Sequence, residues 1–410
     1  MYHALQGIRV IEGSSFIAAP YCGMLLSQLG AEVIRFDPIG GGPDFHRWPL
    51  APGGESFYWE GLNKGKKSVC INLSDSDGRE LAVALVTAAG EGQGIFVTNF
   101  PEGSFLSHEK LAARRHDIIV ARIMGRADGS SAVDYTINCA VGLPNMTGPA
   151  ELAGTPVNHV LPAWDLLAGS TAALSVLAAV DHRRQTGAGQ HIRVPLSDIA
   201  AATLGNLGQI AEVLVSGADR PRTGNNLFGA FGRDFLTRDG KRLMVVALTV
   251  KQWDSLVASL EIGAAVSALE AELGVSFKTD EGNRFRHRGL LDPVVETAIA
   301  DLPHAALVER FNAKDVCYGQ YRSLHEAVTD DPEFAANNPV FSEVLHPSGH
   351  SYPTPGYPAS FSGLKRSAMV SAPQLGQHTE QVLSEVLGLP GHAIADLYDR
   401  GIVATAGRSS

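Results

Sequence analysis

Over about the first 125 residues the chain alternates between two hydrophobic periods, and this alternation restricts the fold more than any other feature. The short apolar runs "IRVIE", "AEVIRFD", "KSVCINL", "GIFVTNF" and "DIIVARIMG" have the length and continuity of buried strands. Between them stand helical stretches: "PYCGMLLSQLG", opened by Pro20 and closed by Gly30, then "DGRELAVALVTAAG" and "LSHEKLAARRH". Strands separated by crossover helices imply parallel β-α-β units and an α/β fold. Such a sheet carries its ligand at the carboxyl ends of the strands, where "EGSSFIAAP", "FDPIGGGPD" and "TNFPEGS" lie.

Further on, "HIRVPL" reads as another strand and "SDIAAATLGNLGQIAEVLVSG" as one long helix. The pattern then changes: "DFLTRDGKRLMVVA" predicts a hairpin turning at Asp239-Gly240. Helical segments follow to about residue 330, interrupted by the charged "KTDEGNRFRHRG". These features place a smaller domain at about 226–330. The Pro- and Gly-rich stretch "NNPVFSEVLHPSGHSYPTPGYPASFSG" reads as a chain crossing a surface, and "HTEQVLSEVLGLPGHAIADLYDRG" as a closing helix pair.

Composition excludes several classes. A formal net charge of -10 argues against wholesale nucleic-acid binding, so an anionic ligand must meet local basic groups or backbone N–H groups. Cys22, Cys70, Cys139 and Cys317 are widely spaced, which predicts reduced, mostly buried thiols and neither a disulfide framework nor a metal site. No basic stretch precedes an apolar run at the N-terminus, and a cytoplasmic protein with no membrane span is expected. The G-x-S-x-G elbow and H-E-x-x-H are missing, and "VIEGSSFIAAP" lacks the G-x-G-x-x-G of a dinucleotide site. "GLNKGKKS" resembles a phosphate-binding P-loop, but its glycines are one residue too close and the Lys-Ser/Thr pair is Lys66-Lys67.

One carboxylate stands out. Asp165 heads fifteen uncharged residues, Leu166 to Val180, in "NHVLPAWDLLAGSTAALSVLAAVDHRR". This helix should end at His182, Arg183, Arg184 and Gly187, where cations complement the negative end and glycine supplies the stop. From the residues alone Asp165 is either the N-cap, accepting from first-turn N–H groups, or a group that performs chemistry.

Seven stretches occur in the order found in one family: "LQGIRVIE", "LGAEVIRFD", "GLNKGKKSV", "VTNF", "WDLLAGSTAALSVLAA", "RRQTGAGQ" and "APQLGQHTEQVLSEVLG". On these the chain resembles, from end to end, the class III CoA-transferases, the family of formyl-CoA transferase, carnitine CoA-transferase and α-methylacyl-CoA racemase. The resemblance implies a large Rossmann-like parallel-sheet domain built from both chain ends (1–225 and 331–410), a smaller inserted α+β domain and an interlocked homodimer. It implies an acyl-CoA substrate, with CoA carried on the substrate and no separate cofactor or metal. It also makes Asp165 the covalent nucleophile, held ionised by the helix N-terminus.

By family position, the CoA and substrate contacts fall on Ile17, Ala18 and Ala19, on Ile71 and Asn72, on Asn99 and Phe100, and on Asp134 and Tyr135. Ala18 and Ala19 would let backbone approach the thioester, and Asn99 would bond adenine or the pantetheine amide. The loop Gly224 to Gly232, "GNNLFGAFG", is the oxyanion candidate, although it lacks consecutive glycines. Pro38 and Met124 stand where some members place cations for the CoA phosphates. Arg47, Arg126 and the cluster Lys64, Lys66 and Lys67 are the substitutes, each equally readable as surface charge. Racemases of the family carry His before the acid that matches Asp134, whereas Val133 stands here, so one proton-transfer base is missing.

Stretches such as "FDPIGGGPDFHRWP", "NHVLPAWD" and "GNNLFGAFGRDF" resemble the branch that shifts CoA between the two carboxyl groups of methylfumarate in the 3-hydroxypropionate bicycle. That reaction needs an apolar wall and one cation beside the nucleophile; His46, Arg47 and His159 are candidates. Intermolecular transfer to a free dicarboxylate and non-catalytic acyl-CoA binding are the competing readings.

Overall fold

The computed structural model describes residues 1–152 and 154–405. The apolar runs form β1 (Arg9–Gly13), β2 (Glu32–Asp37), β3 (Lys67–Ile71), β4 (Ile95–Thr98), β5 (Ile119–Met124) and β6 (Gln190–Pro195). They join in one seven-stranded sheet in the order Val403–Ala404, β3, β2, β1, β4, β5, β6. The six numbered strands run parallel, and Val403–Ala404 lies antiparallel on the β3 edge. Strand order reverses between β1 and β4, so the crevice beyond their carboxyl ends is the topological switch point where open α/β sheets bind ligands.

Two layers cover the sheet. On one face, helix Ser76–Val86 and the C-terminal helices Thr379–Leu387 and Gly391–Asp399 bury Val83, Val86, Val382, Leu383 and Ile394 against Phe36, Phe96 and Val120. On the other, helix Ala18–Gln28 and helix Ala163–Thr186 pack on each other, and the latter packs on β5 and β6. The predicted stop of the long helix is present: Gly187 takes φ +75° and its N–H bonds Arg183 O at 2.8 Å.

That helix is longer than its uncharged core. With 24 residues and a mean hydropathy of 1.5 over its most apolar window, it is long and apolar enough to cross a membrane. Here its Trp164, Ala168, Gly169, Ala172, Ala173, Val176, Ala179 and Val180 are buried inside the protein.

The chain divides into two compact units: Met1–Val141 with His159–Glu212 and Pro332–Ser410, and Gly142–Asn158 with Val213–Asp331. This differs from the boundaries read from the sequence, because 142–158 and 213–225 join the smaller unit. Arg222 explains the difference: its guanidinium donates to the carbonyls of Pro144, Asn145, Leu152 and Thr155 and ties the two segments together.

The smaller unit contains β7 (Phe231–Leu236), β8 (Arg242–Ala247) and β9 (Cys317–Gln320) in an antiparallel sheet. The β7–β8 hairpin was expected, whereas β9 was not. The charged stretch read as an interruption holds helix Glu281–Arg286, whose Arg284 is buried and donates to the carbonyls of Phe277, Ala247 and Leu248.

Three further expectations change. The single helix predicted over 197–217 is two, Leu196–Asn206 and Gln209–Ser216, bent by 67°. Gly208, at φ +76°, supplies the left-handed residue at the break. The Pro-rich surface stretch contains a hairpin, β10 (Phe341–Leu345) and β11 (Ser351–Pro355). Cys22 and Cys70 are buried as expected, but Cys139 and Cys317 are exposed.

Candidate active site

At the switch point, loop geometry is set by side chains acting on backbone. Thr98 Oγ1 donates to Gly13 O at 2.7 Å, tying the end of β4 to the end of β1. One residue on, Asn99 accepts from Ser15 N (3.1 Å) through Oδ1 and donates to Ser15 O (2.8 Å) through Nδ2. Asn99 therefore pins the loop leading into helix Ala18–Gln28. Both ends of its amide bond that backbone, and the side chain also lines the cavity described below. Phe16, next to the pinned residue, adopts φ +69°, a left-handed conformation that costs a non-glycine residue energy and recurs at functional sites.

The start of helix Ala18–Gln28 meets the start of the long helix through a glycine. A Cβ on Gly169 would lie 2.6 Å from Ala18 O, so only glycine permits this approach. Because Gly169 stands four residues after Asp165, the contact brings Asp165 beside Ile17 and Ala18.

The capping question now has a structural answer. Pro162 is the N-cap of the long helix and offers no side-chain hydrogen bond. Asp134, from helix Asp134–Ala140, does the capping: its Oδ2 accepts from Trp164 N (2.7 Å) and Asp165 N (3.2 Å). Trp164 Nε1 donates to Asn138 Oδ1 at 3.3 Å and fixes the two helices together. With the first-turn donors engaged by Asp134, the Asp165 carboxylate is free of structural duty.

Asp165 opens on a cavity of about 300 Å³, also lined by Phe16, Ile17, Ala18, Arg47, Tyr58, Asn99, Met124, Val133, Asp134, Tyr135 and Leu196. Burial, and then the neighbouring Asp134 charge, push the Asp165 carboxyl up to about 7. Both causes act against the helix end, which was expected to favour the ionised form of Asp165. Asp134 takes the first-turn N–H groups and adds a second negative charge. Near neutrality the carboxyl is therefore poised between its two forms, as suits a group whose attack must be switched on.

Of the residues singled out from the sequence, Ile17, Ala18, Arg47, Asn99, Asp134, Tyr135 and Asp165 converge on this cavity. Ala19 is fully buried in its helix. Ile71 is a core residue of the sheet, and Asn72 bonds Ser74 N and Gly401 O beside it. Phe100 packs edge-on to Phe36 at 6.2 Å, and Arg126 is exposed beyond β5. The loop 224–232 belongs to the smaller unit.

The lysine cluster is largely internal. Lys66 Nζ donates to Glu12 Oε1 (3.0 Å), Pro20 O (2.9 Å) and Asn63 Oδ1 (2.9 Å), Lys64 Nζ donates to Gly61 O, and Lys67 pairs with Glu32 and Glu385. Arg35, also buried, bonds Asp37, Asp44 and Asn63 in the same network. Lys66 is thus spent on joining the end of β1 to the first turn of helix Ala18–Gln28, and Lys64 on a carbonyl of helix Phe57–Asn63.

Among the cation candidates, His46 lines a different cavity, of about 700 Å³, beside Phe45, Trp59 and Glu60. His159 stacks on Tyr135 at 6.5 Å with neither ring nitrogen bonded. Arg47 alone supplies a cation to the Asp165 cavity among the described residues. Phe16, Tyr58 and Leu196 were not singled out from the sequence, since nothing in their local pattern separates a cavity wall from core. Among the described residues no group of His, Cys, Asp and Glu could hold a metal ion.

The sheet has its ligand crevice at the switch point, and a carboxylate free of capping opens on the cavity there. The family model for CoA-transferase family III matches residues 5–379, and the chain belongs to that family. It is 47% identical, over 99% of both chains, to the 2-methylfumaryl-CoA isomerase of Chloroflexus aurantiacus. To the human succinyl-CoA:glutarate CoA-transferase it is 27% identical over 97% of this chain and 90% of that one. Its fold matches a CAIB/BAIF family protein from Brucella suis with a TM-score of 0.75 and 23% identity, over 94% of this chain and 100% of that one.

Proposed function

We propose that the protein moves CoA within one substrate, converting 2-methylfumaryl-CoA (mesaconyl-C1-CoA) to 3-methylfumaryl-CoA (mesaconyl-C4-CoA). The observation that carries this reading is the Asp165 carboxylate, released from capping by Asp134 and opening on a small, apolar-walled cavity with one cation. Full-length identity to an isomerase of this name supports the choice of substrate.

The chemistry follows from the substrate. Methylfumarate holds its carboxyl groups trans across a double bond, so they cannot close a cyclic anhydride. A protein carboxylate must hold the acyl group or CoA in between. Ionised Asp165 attacks the C1 thioester carbonyl, forming an acyl-aspartyl anhydride and expelling CoA thiolate. The thiolate attacks the aspartyl carbonyl, leaving an aspartyl-CoA thioester and free mesaconate. Mesaconate turns, its C4 carboxylate attacks the thioester, and the thiolate then attacks the C4 carbonyl and regenerates Asp165.

The enzyme acts as an interlocked homodimer in the cytoplasm and draws on no cofactor beyond the CoA carried by its substrate. A second subunit would cover exposed apolar side chains such as Leu174 and Leu207. The test is incubation with mesaconyl-C1-CoA alone: the C4 isomer should appear without added acceptor, and Asp165→Ala should abolish it. If isomer forms only when a free dicarboxylate is supplied, the reaction is intermolecular, as the name of the human relative describes for that enzyme. Biological function unaffected by Asp165→Ala would instead leave a non-catalytic acyl-CoA-binding protein.

A further inference from the structure

Two hydrogen-bond donors side by side line the Asp165 cavity, Arg47 and Tyr58. The Tyr58 hydroxyl is buried beside the Arg47 guanidinium, which can donate to it, and finds no acceptor for its own proton among the described residues. A hydroxyl left in that state costs about 1–3 kcal/mol, which asks what it is for. The guanidinium of Arg47, an exposed residue at the cavity wall, lies 5.3 Å from the centroid of the Tyr58 ring and 5.6 Å from that of Phe16. Burial raises the Tyr58 pKa well above its usual value, so the phenol keeps its proton and remains a donor.

The two side chains are held together by a built element. Ser56 Oγ donates to Arg47 O at 2.5 Å and accepts from Trp59 N at 3.1 Å, as the N-cap of helix Phe57–Asn63. Phe57 N bonds Pro49 O at 3.0 Å in the same turn. Arg47 and Tyr58 thus ride on one hydrogen-bonded turn, and both reach the cavity from it.

Charge explains why they are needed. The cavity walls carry two acids, Asp134 and Asp165, and a single cation. A substrate bearing a free carboxylate adds a third negative charge, which in a half-buried site must be offset by a cation and donors. A guanidinium beside a phenol is a donor set matched to a carboxylate.

We propose that Arg47 and Tyr58 form a clamp on whichever substrate carboxylate is not joined to sulfur or to Asp165, and that this clamp keeps the dicarboxylate captive while CoA rests on the enzyme. The inference deepens the proposed isomerase reading and rests on it. When mesaconate is set free beside the aspartyl-CoA thioester, two outcomes compete: turning within the cavity, or escape. Holding one carboxylate at the cation lets the other reach Asp165 and makes escape slow.

The experiment measures that competition. Mesaconyl-C1-CoA is turned over in the presence of excess carbon-13-labelled free mesaconate, and label in the C4 isomer is counted per turnover. The wild-type protein should incorporate almost none. Tyr58→Phe and Arg47→Ala should raise incorporation per turnover about tenfold or more, and Arg47→Lys should bring it part of the way back. Incorporation is a ratio, so a variant that is merely slower or partly unfolded leaves it unchanged. Variants that isomerise slowly at the wild-type ratio would overturn the clamp while leaving the isomerase reading in place. A wild-type protein that makes no C4 isomer would overturn the parent reading, and the clamp with it.

Discussion

Replacing Asp134 by asparagine removes one charge and leaves the acceptor that caps the long helix. The amide oxygen can still take the N–H groups of Trp164 and Asp165, while the amide nitrogen replaces Oδ1, which has no partner in the fold. Asp165 stands at about 7 because of burial first and Asp134 second, so the variant removes the second cause and keeps the first. A neighbouring charge at such a site shifts a carboxyl by about one unit or more. At pH 6 a group titrating at about 7 is roughly one-tenth ionised, and one titrating at about 6 is roughly half ionised. The variant should therefore raise kcat/KM at pH 6 about fivefold and change it little at pH 8 and above. The assay is kcat/KM for CoA-ester turnover between pH 5 and 9, whose acid limb reports the free enzyme. An inflection that stays in place or moves upward would refute the electrostatic argument. A uniform hundredfold loss at every pH would show that Asp134 acts on the substrate itself.

Other perturbations test the rest of the site. Gly169→Val forces a side chain into space where a Cβ already lies 2.6 Å from Ala18 O; stability should fall by about 1–3 kcal/mol in denaturant unfolding, with most activity lost. Asn99→Ala removes both bonds to Ser15 and should lower kcat by an order of magnitude or more, with a small loss of Tm, whereas Asn99→Asp keeps the bond from Ser15 N and loses less. Asp165→Asn should raise Tm at pH 8. A carboxyl raised to about 7 in the fold opposes folding once ionised, a cost of about 1–2 kcal/mol after allowing for residual solvent. That advantage should shrink as pH falls from 7 towards 4 and vanish below the unfolded-state value of about 4, where the carboxyl is protonated in both states. Hydroxylamine added during turnover should place a single adduct, read by peptide mass, on Asp165.

The parts legible in the sequence were those with one dominant cause. The parallel strands β1 to β6 are continuous apolar runs because helices cover both faces of the sheet, and no other element produces that pattern at that length. Weakly paired strands gave no such signal. β9 is four residues of "CYGQ", and β11 carries Pro353 and Pro355, tolerated because it pairs on one side only. Arg284 reads as surface charge until its three backbone acceptors are seen. In the site, the resemblance located Asp165, Asp134 and Asn99. Their roles came from pairings across long separations, such as Asn99 with Ser15 and Asp134 with Trp164, which no local window records.

The position of Asp165 is a separation of two tasks that one aspartate would otherwise combine. An aspartate that caps its own helix is stabilised as an anion by the N–H groups it accepts, and the same bonds make it a poor nucleophile. Here the accepting oxygen comes from Asp134, thirty-one residues earlier than Asp165 and on another helix, so the helix end is satisfied from outside. The displaced carboxylate carries the cost of burial beside a like charge, which is the state the proposed attack requires. The uncharged run that follows serves the same end: Ala168, Gly169, Ala172 and Ala173 let helix Ala18–Gln28 pack close enough for its first residues to wall the cavity. Enlarging any one of these should move the cavity wall and Asp165 apart before it unfolds the domain. A graded series at Ala172 (Ser, Val, Leu) should accordingly lose kcat faster than Tm, and parallel loss of both would remove the argument.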